Sequence, residues 1–337
     1  MNLRKIIFEL HKILGLTTGI VVFIVAITGC CWAFRDEIES LYDDYKKVSP
    51  QNKPILTPTE AKMYAMEVFP NNHVHGTLFK KADDAIEVIF YDPEPEFYQS
   101  VFLNPYTGKV IQVDDHLSGF FAFILKGHMR LWLPKEIGEQ VVGASILIFM
   151  VIILSGIFLW IPKKRKNLKQ RLRFNWKDTT RWKRKNFDLH TVIGFYICSL
   201  ALILAFTGSV MSYNWMKYVL YKSLGGDKEA AFIIPENIGT ANINEDVKPM
   251  DLLIPKLWAA SPNAESFELH YPKSEDESIY VEVSNSSGLY YDSDFRFFDQ
   301  HTLEEIETPG IYGKYEDAKV ADKILRMNYD IHIGAIG

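Results

Sequence analysis

"LHKILG" opens at Leu10 and "LHTVIG" at Leu189, and in each a histidine, His11 or His190, precedes a glycine, Gly15 or Gly194, by four residues at the head of a long apolar run. Imidazole exchanges protons near neutral pH and is the commonest metal ligand. Two more histidines share the setting: His128 in "KGHMRLWLP" and His332 in "NYDIHIGAIG". Any one histidine at the edge of a membrane helix is ordinarily solvated among headgroups or bonded to a neighbouring carbonyl. Four in matching places ask for a common explanation.

The elements that hold them are legible. The chain has 337 residues, 48% hydrophobic and 14% aromatic, and its segments 13–34, 141–161 and 191–215 contain no charged side chain. Each has about 20 residues or more, enough to cross ~30 Å of hydrocarbon. Three transmembrane helices are predicted. Arg4, Lys5 and Lys12 precede the first, and twelve basic residues from Lys163 to Lys185 fill the connection between the second and third, which places both segments in the cytoplasm. The acid-rich segments 35–138 and 216–330 then lie outside. The net charge of -5 hides this asymmetry and gives no reason to expect nucleic acid; anionic lipid explains the basic loop. Cys30, Cys31 and Cys198 fall inside spans and read as small packing residues.

"ITGC" ending at Cys30 resembles a lipoprotein cleavage box, but an internal repeat argues for a retained anchor. Seventeen residues separate His11 from Thr28 and His190 from Thr207, and each threonine is followed by Gly and then by a small residue, Cys30 or Ser209. The repeat continues outside the spans. "TPTEAKMYAMEVFP" begins with a capping box of Thr57 and Glu60 around Pro58. "AIEVIFYD" and "QSVFLNPYTGKV" read as strands about a turn of Asn104, Pro105, Tyr106, Thr107 and Gly108. In the second segment 250–260 is the helix candidate, "SIYVEVS" a strand, and "FRFFDQHTLEEI" stands where the turn would be.

Carried by the Leu-His-x-x-x-Gly helix starts, the "NPYTGKV" signature at 104–110 and "KGHMRLWLP", nearly the whole chain resembles the PepSY-associated transmembrane family, proteins of bacterial iron uptake that include ferric-siderophore reductases. The second segment departs from it, with Gln300, His301, Thr302 and Leu303 where the signature has its glycine. The resemblance implies an α-helical membrane bundle carrying two extracytoplasmic α+β PepSY-like domains in an internal two-fold repeat. The expected divisions are a first helix at 1–35, an outer domain at 36–138, a second helix at 139–162, a cytoplasmic loop at 163–188, a third helix at 189–215, a second outer domain at 216–330, and the start of a fourth helix at 331–337. Because the chain stops where such proteins begin a fourth span, it reads as a fragment.

Two neutral imidazoles from facing helices supply both axial nitrogens of a six-coordinate b-type haem. Together with the resemblance, this makes His11 and His190 the expected ligands of a haem near the cytoplasmic face, and His128 and His332 those of a second near the outer face. Gly15 and Gly194, one turn beyond their histidines, would let the flat macrocycle approach the backbone; close helix packing is the alternative. Arg4, Lys12 and Lys185, or Arg130 and Arg326, are within sequence reach of haem propionates. The implied function is electron transfer across the bacterial inner membrane to a ferric siderophore. No Gly-x-Gly-x-x-Gly follows a strand, so the donor is external, a quinol or another protein. The rival reading is a non-enzymatic membrane-anchored sensor or protease-regulating module.

The remaining histidines fall in the outer segments. "HVH" from His73 on a polar loop could hold a metal, although solvent exposure is the expectation; His270 and His301 carry no assigned role. Tyr290, Tyr291, Phe295, Phe297 and Phe298 form an aromatic stretch that serves either as a docking surface or as the core face of a strand.

Overall fold

The computed structural model describes residues 2–162, 168–239 and 248–336. Its helices are α1 (Leu3–Ala33), α2 (Arg35–Glu39), α3 (Pro58–Met66), α4 (Gly119–Arg130), α5 (Lys135–Trp160), α6 (Leu168–Arg171), α7 (Trp182–Ser212), α8 (Asn214–Ser223), α9 (Pro249–Ala260) and α10 (Val320–Ile333). The strands are β1 (Val74–Phe79), β2 (Ile86–Pro93), β3 (Glu96–Leu103), β4 (Val110–Asp115), β5 (Ser266–His270), β6 (Ile279–Ser284), β7 (Asp294–Phe298) and β8 (Glu305–Ile306). They divide into a helical unit of α1, α5, α6, α7 and the end of α4, and a sheet unit holding all the strands.

In the helical unit α1, α5 and α7 are long and apolar enough to cross a membrane, and α5 packs against both others. α1 and α7 each span 31 residues, and His11 and His190 each lie eight residues beyond their helix start. Both helices begin earlier than the apolar runs do, because "LRKIIFEL" and "WKRKNFDL" are made largely of good helix formers. The last turn of α5 leaves carbonyls without intrahelical partners. Arg4 donates to the carbonyls of Leu159 and Ile161, and Arg171 to those of Leu159 and Trp160, so basic side chains close the negative end of the helix. Lys163 to Lys166 of the basic connection lie outside the described residues.

The strands form one antiparallel sheet in the order β4-β3-β2-β1-β5-β6-β7-β8. The two outer segments, expected as separate domains, thus join through β1 and β5, with Gly76 opposite His270 and Phe79 opposite Phe267. One core serves both: Ala61 and Ala65 of α3 and Leu253 and Leu257 of α9 bury against Phe79, Phe90, Leu103, Phe267, Leu269 and Phe298. The capping box of α3 forms as expected, Thr57 Oγ1 accepting from Glu60 N at 3.3 Å and Glu60 Oε2 from Thr57 N at 2.8 Å.

Both halves build the same turn from different residues. Asn104 N donates to Lys109 O at 2.9 Å, and Asp299 N to Glu304 O at 2.9 Å. Gly108 occupies the left-handed region at φ 70°; Leu303, its counterpart, does so at φ 55°. For a residue with a Cβ that backbone costs roughly 1–2 kcal/mol. Asp299 offsets it. Against burial, which favours the neutral acid, the N–H groups of Thr302, His301, Gly239 and Ile238 hold its carboxylate to a pKa of about 2.

Candidate functional site

His11 and His190 face each other across α1 and α7 with ring centres 6.1 Å apart and planes at 63°. A metal held between two imidazoles, at the about 2 Å usual for histidine nitrogen, sets ring centres about 6 Å apart. His11 Nδ1 lies 2.9 Å from Ser155 Oγ, which also lies 2.9 Å from Ile152 O; with the hydroxyl proton on that carbonyl, Nδ1 donates to Ser155 and Nε2 keeps the lone pair. Beside it Gly156 makes room, since a Cβ there would lie 3.1 Å from His11 Cε1. A Cβ on Gly15 or Gly194 would meet nothing within 4 Å among the described residues.

His128 is anchored at the other end of α1 by the same logic. Its Nδ1 lies 2.9 Å from Val25 O, which can only accept, so Nδ1 carries the proton and Nε2 the lone pair. Gly29 is obligatory here, because a Cβ would stand 2.9 Å from His128 Cε1. "KGHMRLW" fixes the approach. Leu131 and Trp132 both take positive φ, 53° and 58°, folding the Trp132 indole back over Gly127, where Nε1 donates to Phe123 O at 2.8 Å. From His11 to Val25 is fourteen residues, about 21 Å of helical rise.

His332 sits half-buried in the last turn of α10, in the sheet unit, where Gly334 at φ 81° ends the helix. Residues 331–333, expected to open a new span, thus complete α10. Among the described residues no three or more His, Cys, Asp or Glu converge as for a metal ion; haem ligation needs only two.

Two of the basic residues considered for propionates are otherwise engaged, since Arg4 caps α5 and Lys12 pairs with Glu9. Arg326 is 3% exposed in the sheet unit, donating to Ser293 O and Gly313 O amid Phe295, Tyr312 and Tyr315, so its work is structural.

"HVH" is not an exposed loop. β1 carries His75 into the sheet, where its ring meets His270 at 4.8 Å, and His270 stacks on Tyr280 at 3.7 Å and 12°. Burial, with His270 beside it, lowers His75 to a pKa of about 4, so it stays neutral. Nε2 of His270 lies 3.2 Å from Glu268 Oε1, and Ser100 links Glu87 and His116 at 2.7 and 2.8 Å. Burial, aided by Glu268, pushes Glu282 up to about 7. The aromatic stretch divides: Phe297 and Phe298 are buried, while Tyr290 is 54% exposed.

Sequence reasoning did not find Ser155, Gly156 or Gly29 as seats for the histidines. The one signal was a Ser-Gly pair inside the apolar run of α5. The family model described as PepSY-associated TM region matches residues 8–337. No curated protein matches the chain.

Proposed function

Since the chain belongs to the PepSY-associated TM family and is a multi-pass membrane protein, we propose that it is an inner-membrane haem protein that passes electrons to ferric-siderophore complexes outside. His11 and His190 would hold one haem b, and His128 would be one ligand of a second. The observation that carries the reading is the facing of His11 and His190 at 6.1 Å, with Ser155 Oγ 2.9 Å from His11 Nδ1, so that Nε2 would be the ligating nitrogen. The open faces of Gly15 and Gly194 support it.

Haem, when bound, supplies one-electron redox chemistry. The chain's own residues do the rest. Ser155 and the Val25 carbonyl would orient the imidazoles by hydrogen bonds to Nδ1, as the outer partners of ligating histidines do at metal sites, and the apolar faces of α1, α5 and α7 would exclude water. An external quinol or protein gives one electron, and Fe(III) in the complex accepts it. The resulting Fe(II) binds hard oxygen donors less tightly and is released.

The test is the visible spectrum and haem-to-protein ratio of the purified chain and of His11→Ala and His190→Ala. The reading expects a sharp reduced α-band that each substitution removes. Full haem content with an unchanged spectrum in both variants would sink it. Haem-free wild-type protein would leave the binding or sensory alternative.

A further inference from the structure

On the helix-covered side of the sheet, where α3 of the first half meets the start of α9 from the second, lies a cavity of about 600 Å³, in the size range of small-molecule sites. Its walls combine two chemistries. Lys62 and Lys248 line it, and neither makes an ion pair among the described residues. Burial, with Lys248 adding to it, pushes the Lys62 ammonium below its ordinary range. The same pressure reaches His73, which burial and then Lys62 and Lys273 hold toward the neutral form. The carboxylates near by have other work: Asp251 Oδ1 accepts from Thr59 N at 2.9 Å, and Glu277 Oε2 from Lys273 N at 2.8 Å.

Thr59, Gln300 and His301 add polar groups to the wall, and the remainder is apolar and partly adaptable. Met63, Met66 and Met250 contribute flexible, polarizable thioethers. Tyr271 contributes a fixed ring, its hydroxyl donating to Pro58 O at 2.9 Å and accepting from Thr77 Oγ1 at 3.0 Å. The Lys62 ammonium stands 4.6 Å above that ring. A compact inorganic anion would satisfy the lysines and leave the methionines wetted, whereas a neutral apolar molecule would cover the methionines and desolvate the half-buried Lys62 cation without compensation.

We propose that this cavity binds a small organic anion, its charged groups between Lys62 and Lys248 and an aromatic or apolar body against Tyr271 and the three methionines. The site does not depend on the haem reading. It bridges the two halves of the sheet unit, so a ligand there also strengthens their union by mass action.

Calorimetric titration of the detergent-solubilised full chain with 2,3-dihydroxybenzoate, with its ferric complex and with inorganic phosphate tests the proposal. At least one organic form is expected to bind saturably and at least ten-fold more tightly than phosphate. Lys62→Gln and Lys248→Gln should each weaken it about ten-fold, the worth of one charge-assisted hydrogen bond. Preference for the ferric complex identifies the source as a metal chelate, and preference for the free acid identifies a metal-free effector; both support the anion site. Lys248 is exposed, so its substitution tests binding without endangering the fold. Failure of both organic forms to bind, phosphate binding as tightly as either, or unchanged affinity in the double variant would overturn the assignment.

Discussion

The two units handle imidazole in opposite ways. In the helical unit His11 and His128 each hold Nδ1 against one oxygen, Ser155 Oγ or Val25 O, and leave Nε2 turned elsewhere. In the sheet His75 meets the His270 ring edge-on, His270 stacks on Tyr280, and His270 turns Nε2 to Glu268. The first arrangement would suit a ligand; the second uses the ring as packing beside buried carboxylates. Residue type is therefore a poor guide to role, and the acceptor of the first nitrogen is a better one.

That contrast can be broken most sharply by exchanging the losses. His11→Ala or His190→Ala should abolish one haem centre, whereas His270→Ala should leave haem content unchanged and lower stability by about 3 kcal/mol, near the upper end of ordinary substitutions. Haemochrome assay beside thermal unfolding measures both, and haem loss in His270→Ala would erase the distinction. The next effect belongs to the sheet. Glu282 has its folded pKa raised from 4.5 to about 7, so the folded state holds a proton that the unfolded state has released. Stability falls as pH rises from 4.5 through 7. Glu282→Gln should therefore stabilise the protein by about 2 kcal/mol at pH 8 and hardly at all near pH 4.5, as read from denaturation midpoints at the two pH values.

A smaller effect separates the two anchors within the helical unit. Ser155→Ala removes the acceptor of His11 and should weaken haem binding about 10- to 100-fold, with Ser155→Thr retaining it; equal affinity in Ser155→Ala would mean that the hydroxyl does not orient the ring. The His128 anchor is backbone and cannot be deleted that way. The smallest comparison is steric. Gly29→Ala, with its Cβ 2.9 Å from His128, should destabilise by about 1–3 kcal/mol. Gly156→Ala, at 3.1 Å from His11, should cost less. Reversal of that order would show that α4 yields more readily than α1.

Much of this was legible where the signal is local. The three spans follow from uncharged runs, and the α3 cap from Thr57, Pro58 and Glu60. β1 was not, because "VHGTLF" has a glycine and a histidine where an alternating strand would show apolar residues. The segment of Leu303 could be placed at the turn although it lacks the signature's glycine, and the Asp299 carboxylate gathers enough N–H groups to hold a leucine at positive φ. The contacts that set the histidines could not be read at all. Ser155 is 144 residues from His11, and Val25 is 103 from His128; no periodicity reports on such pairs.

The seam between β1 and β5 bears on how the protein is made. Gly76 and its partner His270 are separated in the chain by α5 and α7, so two membrane crossings must be synthesised before the sheet can close. Until then β1 is the edge of a four-stranded half-sheet, presenting unpaired N–H and C=O groups to any strand it meets. Closing a loop of this length costs on the order of 5 kcal/mol in chain entropy, a delay during which exposed edges favour aggregation. The segment holding β1 to β4 produced alone would keep that edge for good, and its missing partner strand is β5 of the same chain.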